Sequence, residues 1–169
     1  MTDAAQPGGQ VPQEQQAASF QIEKIYVKDL SLEIPHAPQV FAEQVQPQID
    51  IQIQSGESRF RDDFWEVTLS VTVTARAGER TVFLAEAVQA GIFQMRNVPE
   101  ADLNPLLGIA CPTILFPYLR EAISDLVIRG GFPPVLLAPV SFEALFVQRQ
   151  QQQQQPGPAG SGPKIELAR

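Results

Sequence analysis

Residues 108–134, GIACPTILFPYLREAISDLVIRGGFPP, constrain the fold more than any other stretch. Leu115, Leu119, Ala122, Ile123, Leu126 and Val127 recur at three- and four-residue spacing, so on a helix they share one face. Arg120, Glu121, Ser124 and Asp125 fall on the other side, and Asp125 stands four residues before Arg129, the favourable order for an ion pair. Pro112 marks a start, and Gly130, Gly131, Pro133 and Pro134 mark a stop, with Gly130 expected to supply the left-handed residue. Counted from residue 113 to 129, this helix would be about 25 Å long. Pro117 removes one helical hydrogen bond and crowds the carbonyl of Thr113, so the helix either begins there or bends there, and the stripe already present at Ile114 and Leu115 favours the bend. A helix with one apolar face must lie on something.

Alternating stretches supply it. Residues 20–34, FQIEKIYVKDLSLEI, alternate, slip in phase, and resume, which predicts a β-bulge near Glu23 and Lys24. Leu30, Leu32 and Ile34 then place Asp29, Ser31 and Glu33 together on the opposite side. After a loop bounded by Pro35, Pro38 and Pro47, residues 48–54 set Ile49, Ile51 and Ile53 against Asp50 and Gln52. Residues 64–75 form the strongest strand, with Trp65, Val67, Leu69, Val71 and Val73 facing one way and Glu66, Thr68, Ser70, Thr72 and Thr74 the other. A hairpin loop at residues 76–79 leads to residues 81–93. There Val82, Leu84 and Val88 oppose Phe83, Ala85 and Ala87, so both faces are apolar and need a second cover, either a helix or another subunit. A shorter helix, capped by Ser141, turns Phe142, Leu145 and Phe146 inward. Four strands followed by two helices read as α+β, an antiparallel sheet covered on one side.

The ends are of another kind. Residues 1–18 are rich in Gln, Pro and Gly, and residues 148–169 are a glutamine run followed by a Pro- and Gly-rich segment. Neither has the apolar surface to offset chain ordering, so both are expected to be disordered tails around a single domain at 19–147. The net charge of −7 belongs to residues 20–147, with 16 Asp and Glu against 9 Lys and Arg. That balance repels nucleic acid and suits a basic partner. No apolar run approaches the length of a bilayer crossing, and the N-terminus lacks the basic and apolar regions of a secretory signal, so no membrane insertion is expected.

Catalytic chemistry finds few candidates. His36 and Cys111 are the sole histidine and cysteine, one in a proline-flanked loop and the other against Pro112. They exclude a zinc ligand set and an intramolecular disulfide. There is no phosphate-cradling glycine loop or nucleophile elbow, and the Asp62–Asp63 pair reads as a solvated loop. The expectation is a non-enzyme without cofactor. Aromatics on irregular segments and on the short helix, Phe41, Phe132, Phe142 and Phe146, could instead form an adaptable groove for apolar chain segments.

Three runs, FQIEKIYVKDLSLEIPHAPQVF, VTVTARAGERTVFLAEAVQAGIF and CPTILFPYLREAISDLVIRGGFPPVLLAPVSFEALF, resemble the bacterial protein-export chaperone SecB family across residues 20–146. The resemblance implies an α+β protomer that assembles into a homotetramer, a dimer of dimers. It implies an ATP-independent holdase that keeps precursor proteins unfolded in the cytoplasm and hands them to SecA. SecA docking would fall on Asp29 and Glu33 of KDLSLE and Leu84 and Glu86 of FLAE. Clients would contact Tyr26, Phe41, Phe132, Phe142, Leu145 and Phe146. Phe83, Ala85, Ala87, Leu119 and Ile123 would form the oligomer interface, with Ala85 where family members often carry cysteine. Two other readings are a SecB-like chaperone dedicated to one client, such as an antitoxin, and a protein binding a small apolar ligand.

Overall fold

The computed structural model describes residues 17–43 and 46–154. Within them a four-stranded antiparallel sheet runs in the order β1 (Ser19–Glu33), β4 (Arg80–Arg96), β3 (Phe64–Ala77), β2 (Gln48–Arg61). The expected strands are all present, and three of them run further than their cleanest alternation. The β2–β3 hairpin turns at Asp62 and Asp63, with Asp63 left-handed at φ 62°, a region that short polar side chains tolerate. The β3–β4 hairpin turns on two residues, Gly78 and Glu79, and Gly78 (φ 62°) provides the left-handed position.

Bulges keep the faces in phase. The expected slip in β1 lies between Ile22 and Lys24, and a second lies between Val27 and Asp29. Each extra residue reverses the alternation, so Ile22, Ile25, Val27, Leu30 and Leu32 all end on one side, opposite Phe93, Gly91, Gln89, Ala87 and Ala85 of β4. A further shift in the β3–β4 ladder leaves Val82 unpaired between Thr81 and Phe83. Val82 therefore joins Phe83 in the core at 1% exposure, rather than standing with Leu84 and Val88 on the opposite face.

The helix begins earlier than Pro112. α1 (Glu100–Pro105), a π-helical turn (Leu106–Ala110) and α2 (Cys111–Arg129) form one continuous run of 30 residues. The wider π turn precedes Pro112, where the regular hydrogen-bond ladder would fail, and Thr113 Oγ1 donates to Ile109 O at 2.7 Å in that stretch. The helix continues through Pro117. Its C-terminus closes one residue later than the glycine pair first suggests. Gly130 remains helical and Gly131 (φ 86°) is the left-handed residue, with Gly131 N–H donating to Ile128 O and Phe132 N–H to Val127 O. That is a Schellman motif.

α2 lies on β3 and β4. Leu115, Leu119, Ile123 and Val127 are fully enclosed with Val67, Leu69, Val71, Val73 and Phe93. The helix therefore supplies the cover that β4 required. Phe83, Ala85, Ala87, Leu119 and Ile123, expected at an oligomer interface, are instead 0–2% exposed inside a single chain and have no surface left for a second copy. By length and composition this run is apolar enough to cross a bilayer, where the sequence reading expected no such stretch, and about a third of its most apolar window, 33%, is buried within the chain.

The last helix, α3 (Phe142–Gln154), is capped as expected, Ala144 N–H donating to Ser141 Oγ at 3.2 Å. It extends into the glutamine run as far as Gln154, past residue 148 where a disordered tail was expected to begin. The remaining tail expectations, residues 1–16 and 155–169, lie outside the described residues.

Candidate functional site

The uncovered face of the sheet is polar and its residues stand in rows set by the register. Glu33, Leu84, Thr74 and Asp50 form one row across β1, β4, β3 and β2. Ser31, Glu86, Thr72 and Gln52 form the next, then Asp29, Val88, Ser70 and Gln54. Asp29, Glu33, Leu84 and Glu86 thus come together on two adjacent strands, with half-buried Leu84 beside Glu33 and one residue pair from Glu86. Thr72 Oγ1 donates to Glu86 Oε1 at 3.1 Å, which orients that carboxylate. Among the described residues none of Asp29, Glu33 and Glu86 enters an ion pair, so their charge faces whatever approaches. Asp50 shares the Glu33 row, on the polar side of β2 that its alternation gives.

Further along the same face, Tyr26 and Lys28 converge on Glu66. Lys28 Nζ lies 2.9 and 2.7 Å from the two carboxylate oxygens, and the Tyr26 hydroxyl donates to Glu66 Oε1. The hydrogen bond from Lys28 holds the Glu66 carboxyl below the usual carboxylate range, and the bond to Glu66 pushes the Tyr26 hydroxyl up to about 12. Tyr26 is therefore an outer-face residue and does not join the aromatics grouped with it from sequence.

Those aromatics divide in two. Phe41, 51% exposed, packs at a tilt against Phe132 at 5.3 Å between ring centroids, and Phe132 likewise against buried Phe83 at 4.7 Å. The Phe41 ring also lies against Gly131, where an added Cβ would come within 3.3 Å of it. Arg80 on β4 pairs through both guanidinium nitrogens with Glu43, two residues beyond Phe41, and ties that loop to the sheet. The second group belongs to α3. Phe142, Leu145 and Phe146 line a cleft with Ile53, Leu69 and Gly108. Phe142 is buried edge-on to Phe116 at 5.8 Å, so it is an anchor of α3 more than an open contact. Phe146 rests directly on Gly108, where any Cβ would approach the ring to 2.4 Å.

The sole cysteine and the sole histidine lie apart in character. Cys111 is enclosed in the core, where burial pushes its thiol up to about 12, while His36 is exposed on the turn after β1. Among the described residues no group of three or more His, Cys, Asp or Glu could hold a metal ion.

The model of one family, described as preprotein translocase subunit SecB, matches residues 13–153. The chain belongs to the SecB family. A protein-export protein SecB from Chromobacterium violaceum is 60% identical over 147 residues, covering 87% of this chain and 98% of the relative. Another from Methylobacillus flagellatus is 56% identical over 140 residues, covering 83% and 88%. Among solved structures, a Mycobacterium tuberculosis SecB-like chaperone in complex with an antitoxin peptide matches with a TM-score of 0.59 and 21% identity, over 72% of this chain and 91% of that one. The sheet and long helix described above are thus the SecB fold.

Sequence reasoning missed a further apolar surface. On the helix-facing side of β1, Ile22, Val27 and Leu30 remain 43–50% exposed because α2 covers the middle of the sheet and not its β1 edge. Leu136, in the connector to α3, is 67% exposed. The second β1 bulge, once recognised, would have placed Val27 and Leu30 together.

Proposed function

We propose that this SecB-family chain is an ATP-independent holdase that binds unfolded precursor proteins in the cytoplasm and delivers them to SecA. The observation that carries the SecA part is the convergence of Asp29, Glu33, Leu84 and Glu86 on one solvent-facing patch, its carboxylates unpaired among the described residues and grouped around a leucine. Such a patch suits a basic partner with one apolar anchor, with attraction that fades as salt rises. Clients engage the Phe41–Phe132 pair and the α3 cleft through Leu145 and Phe146. Each contact is undemanding about sequence, and a chain that occupies several grooves gains affinity through effective concentration. No bond is made or broken.

The assembly is a homotetramer, a dimer of dimers. Its support is the row of Ile22, Val27 and Leu30 on a free edge strand, since an exposed edge with apolar side chains invites another copy. This replaces the buried residues first expected there.

The test is dilution of an unfolded precursor with and without the protein, in the absence of ATP, followed by SecA binding. Suppression of aggregation near one tetramer per client is expected. Glu86→Lys should abolish SecA binding and leave holdase activity intact. Equal loss of both would overturn the site, and no suppression by a folded tetramer would overturn the holdase reading.

A further inference from the structure

The outer face is not uniformly acidic. In the rows from Asp29 to Glu33 the carboxylates are unpaired among the described residues, whereas in the rows of Tyr26 and Lys24 the one carboxylate, Glu66, has both oxygens occupied. The device that does this is local. The second bulge of β1 adds Lys28 between the Asp29 and Tyr26 rows. From there the ammonium reaches diagonally across β4 to Glu66 on β3, two strand spacings (about 10 Å) to the side and toward the Lys24 row. The residue of β4 opposite Tyr26 is Ala90, whose small side chain leaves room for the crossing and is itself fully enclosed. Lys28 remains 47% exposed, so it also presents positive charge on its own account, with Lys24 beyond it on the same strand and face.

We propose that Lys28 is a specificity-determining residue of the docking face, confining a basic partner to the rows between Asp29 and Glu33 by withdrawing Glu66 and placing a cation at the border. This rests on the SecA-docking reading above and adds to it a limit. A basic segment meets attraction from Asp29, Glu33 and Glu86, then repulsion from Lys28, so it settles in one position instead of sliding along the strands. The same bulge that keeps Leu30 and Leu32 on the helix side thereby sets the edge of the recognition surface.

The experiment is titration of full-length SecA onto the full-length protein carrying Lys28→Gln, Glu66→Gln, both together, Lys28→Arg, or Glu86→Lys, at two salt concentrations. Lys28→Gln should bind roughly threefold tighter, with a steeper salt dependence, because Glu66 becomes available to the partner. Glu66→Gln, which leaves the Lys28 ammonium without its counter-charge, should bind more weakly than the unaltered protein, the double variant should lose the gain, and Lys28→Arg, which keeps the pair, should behave as the unaltered protein. Unchanged or weaker binding by a folded Lys28→Gln, or a gain that persists in the double variant, would overturn the role of Lys28. If Glu86→Lys still binds SecA, the docking reading itself fails, whatever Lys28 does.

Discussion

The two faces of one sheet are built from the same strands and do opposite work. On the helix side of β3, Val67, Leu69, Val71, Val73 and Ala75 are 0–1% exposed under α2. One residue away in each case, Glu66, Thr68, Ser70, Thr72 and Thr74 stay half-buried, and the first four form side-chain hydrogen bonds to other strands. The difference teaches where a substitution is read. On the helix side a lost methyl leaves a cavity, and on the outer side a changed charge leaves the fold alone and alters the partner.

The largest effect should come from the helix side. Leu119→Ala removes a fully enclosed side chain from the α2–sheet contact and should cost about 2–5 kcal/mol in urea denaturation. A cost near zero would mean that α2 is not what holds that face. Tyr26→Phe tests the middle ground, because it removes the hydroxyl that donates to Glu66 while keeping the ring. A loss of about 1 kcal/mol is expected. The same hydroxyl gives a pH signature. Its value rises from 10.0 to about 12 in the folded state, so its contribution is complete below pH 10 and is lost as pH climbs through about 12. Ultraviolet titration of the native protein should show one tyrosine ionising near 12, and that late step should vanish in Tyr26→Phe. The smallest stability effect should be that of Glu86→Lys, within about 0.5 kcal/mol of the unaltered protein. A large destabilisation there would erase the division between the faces.

Much of this was legible from residues alone. The period of two in β3 and the stripe of α2 are each dictated by which side chains must leave water, and every strand and both expected helices follow from them. The acid pair Asp29 and Glu33 was likewise visible, because parity within a strand is local. What escaped was whatever depended on a neighbour. Tyr26 reads as an aromatic seeking an apolar groove, and only the adjacency of β1, β4 and β3 gives it Glu66. Ala85 and Phe83 read as a face needing cover from either a helix or another subunit, and only the path of α2 shows that the cover is the same chain. The glutamine run reads as unstructured by composition, yet it continues a helix already nucleated and capped at Ser141, where propagation is far easier than initiation.

The sequence by itself determined which side chains had to be hidden, where the hairpins turn, and which carboxylates share a strand face, because these follow from local geometry and transfer from water. The tertiary structure alone decided the strand order, the ion pair that silences Glu66, and the stretch of β1 left bare by the helix. Those depend on which residues distant in the chain become neighbours, and no local periodicity carries that.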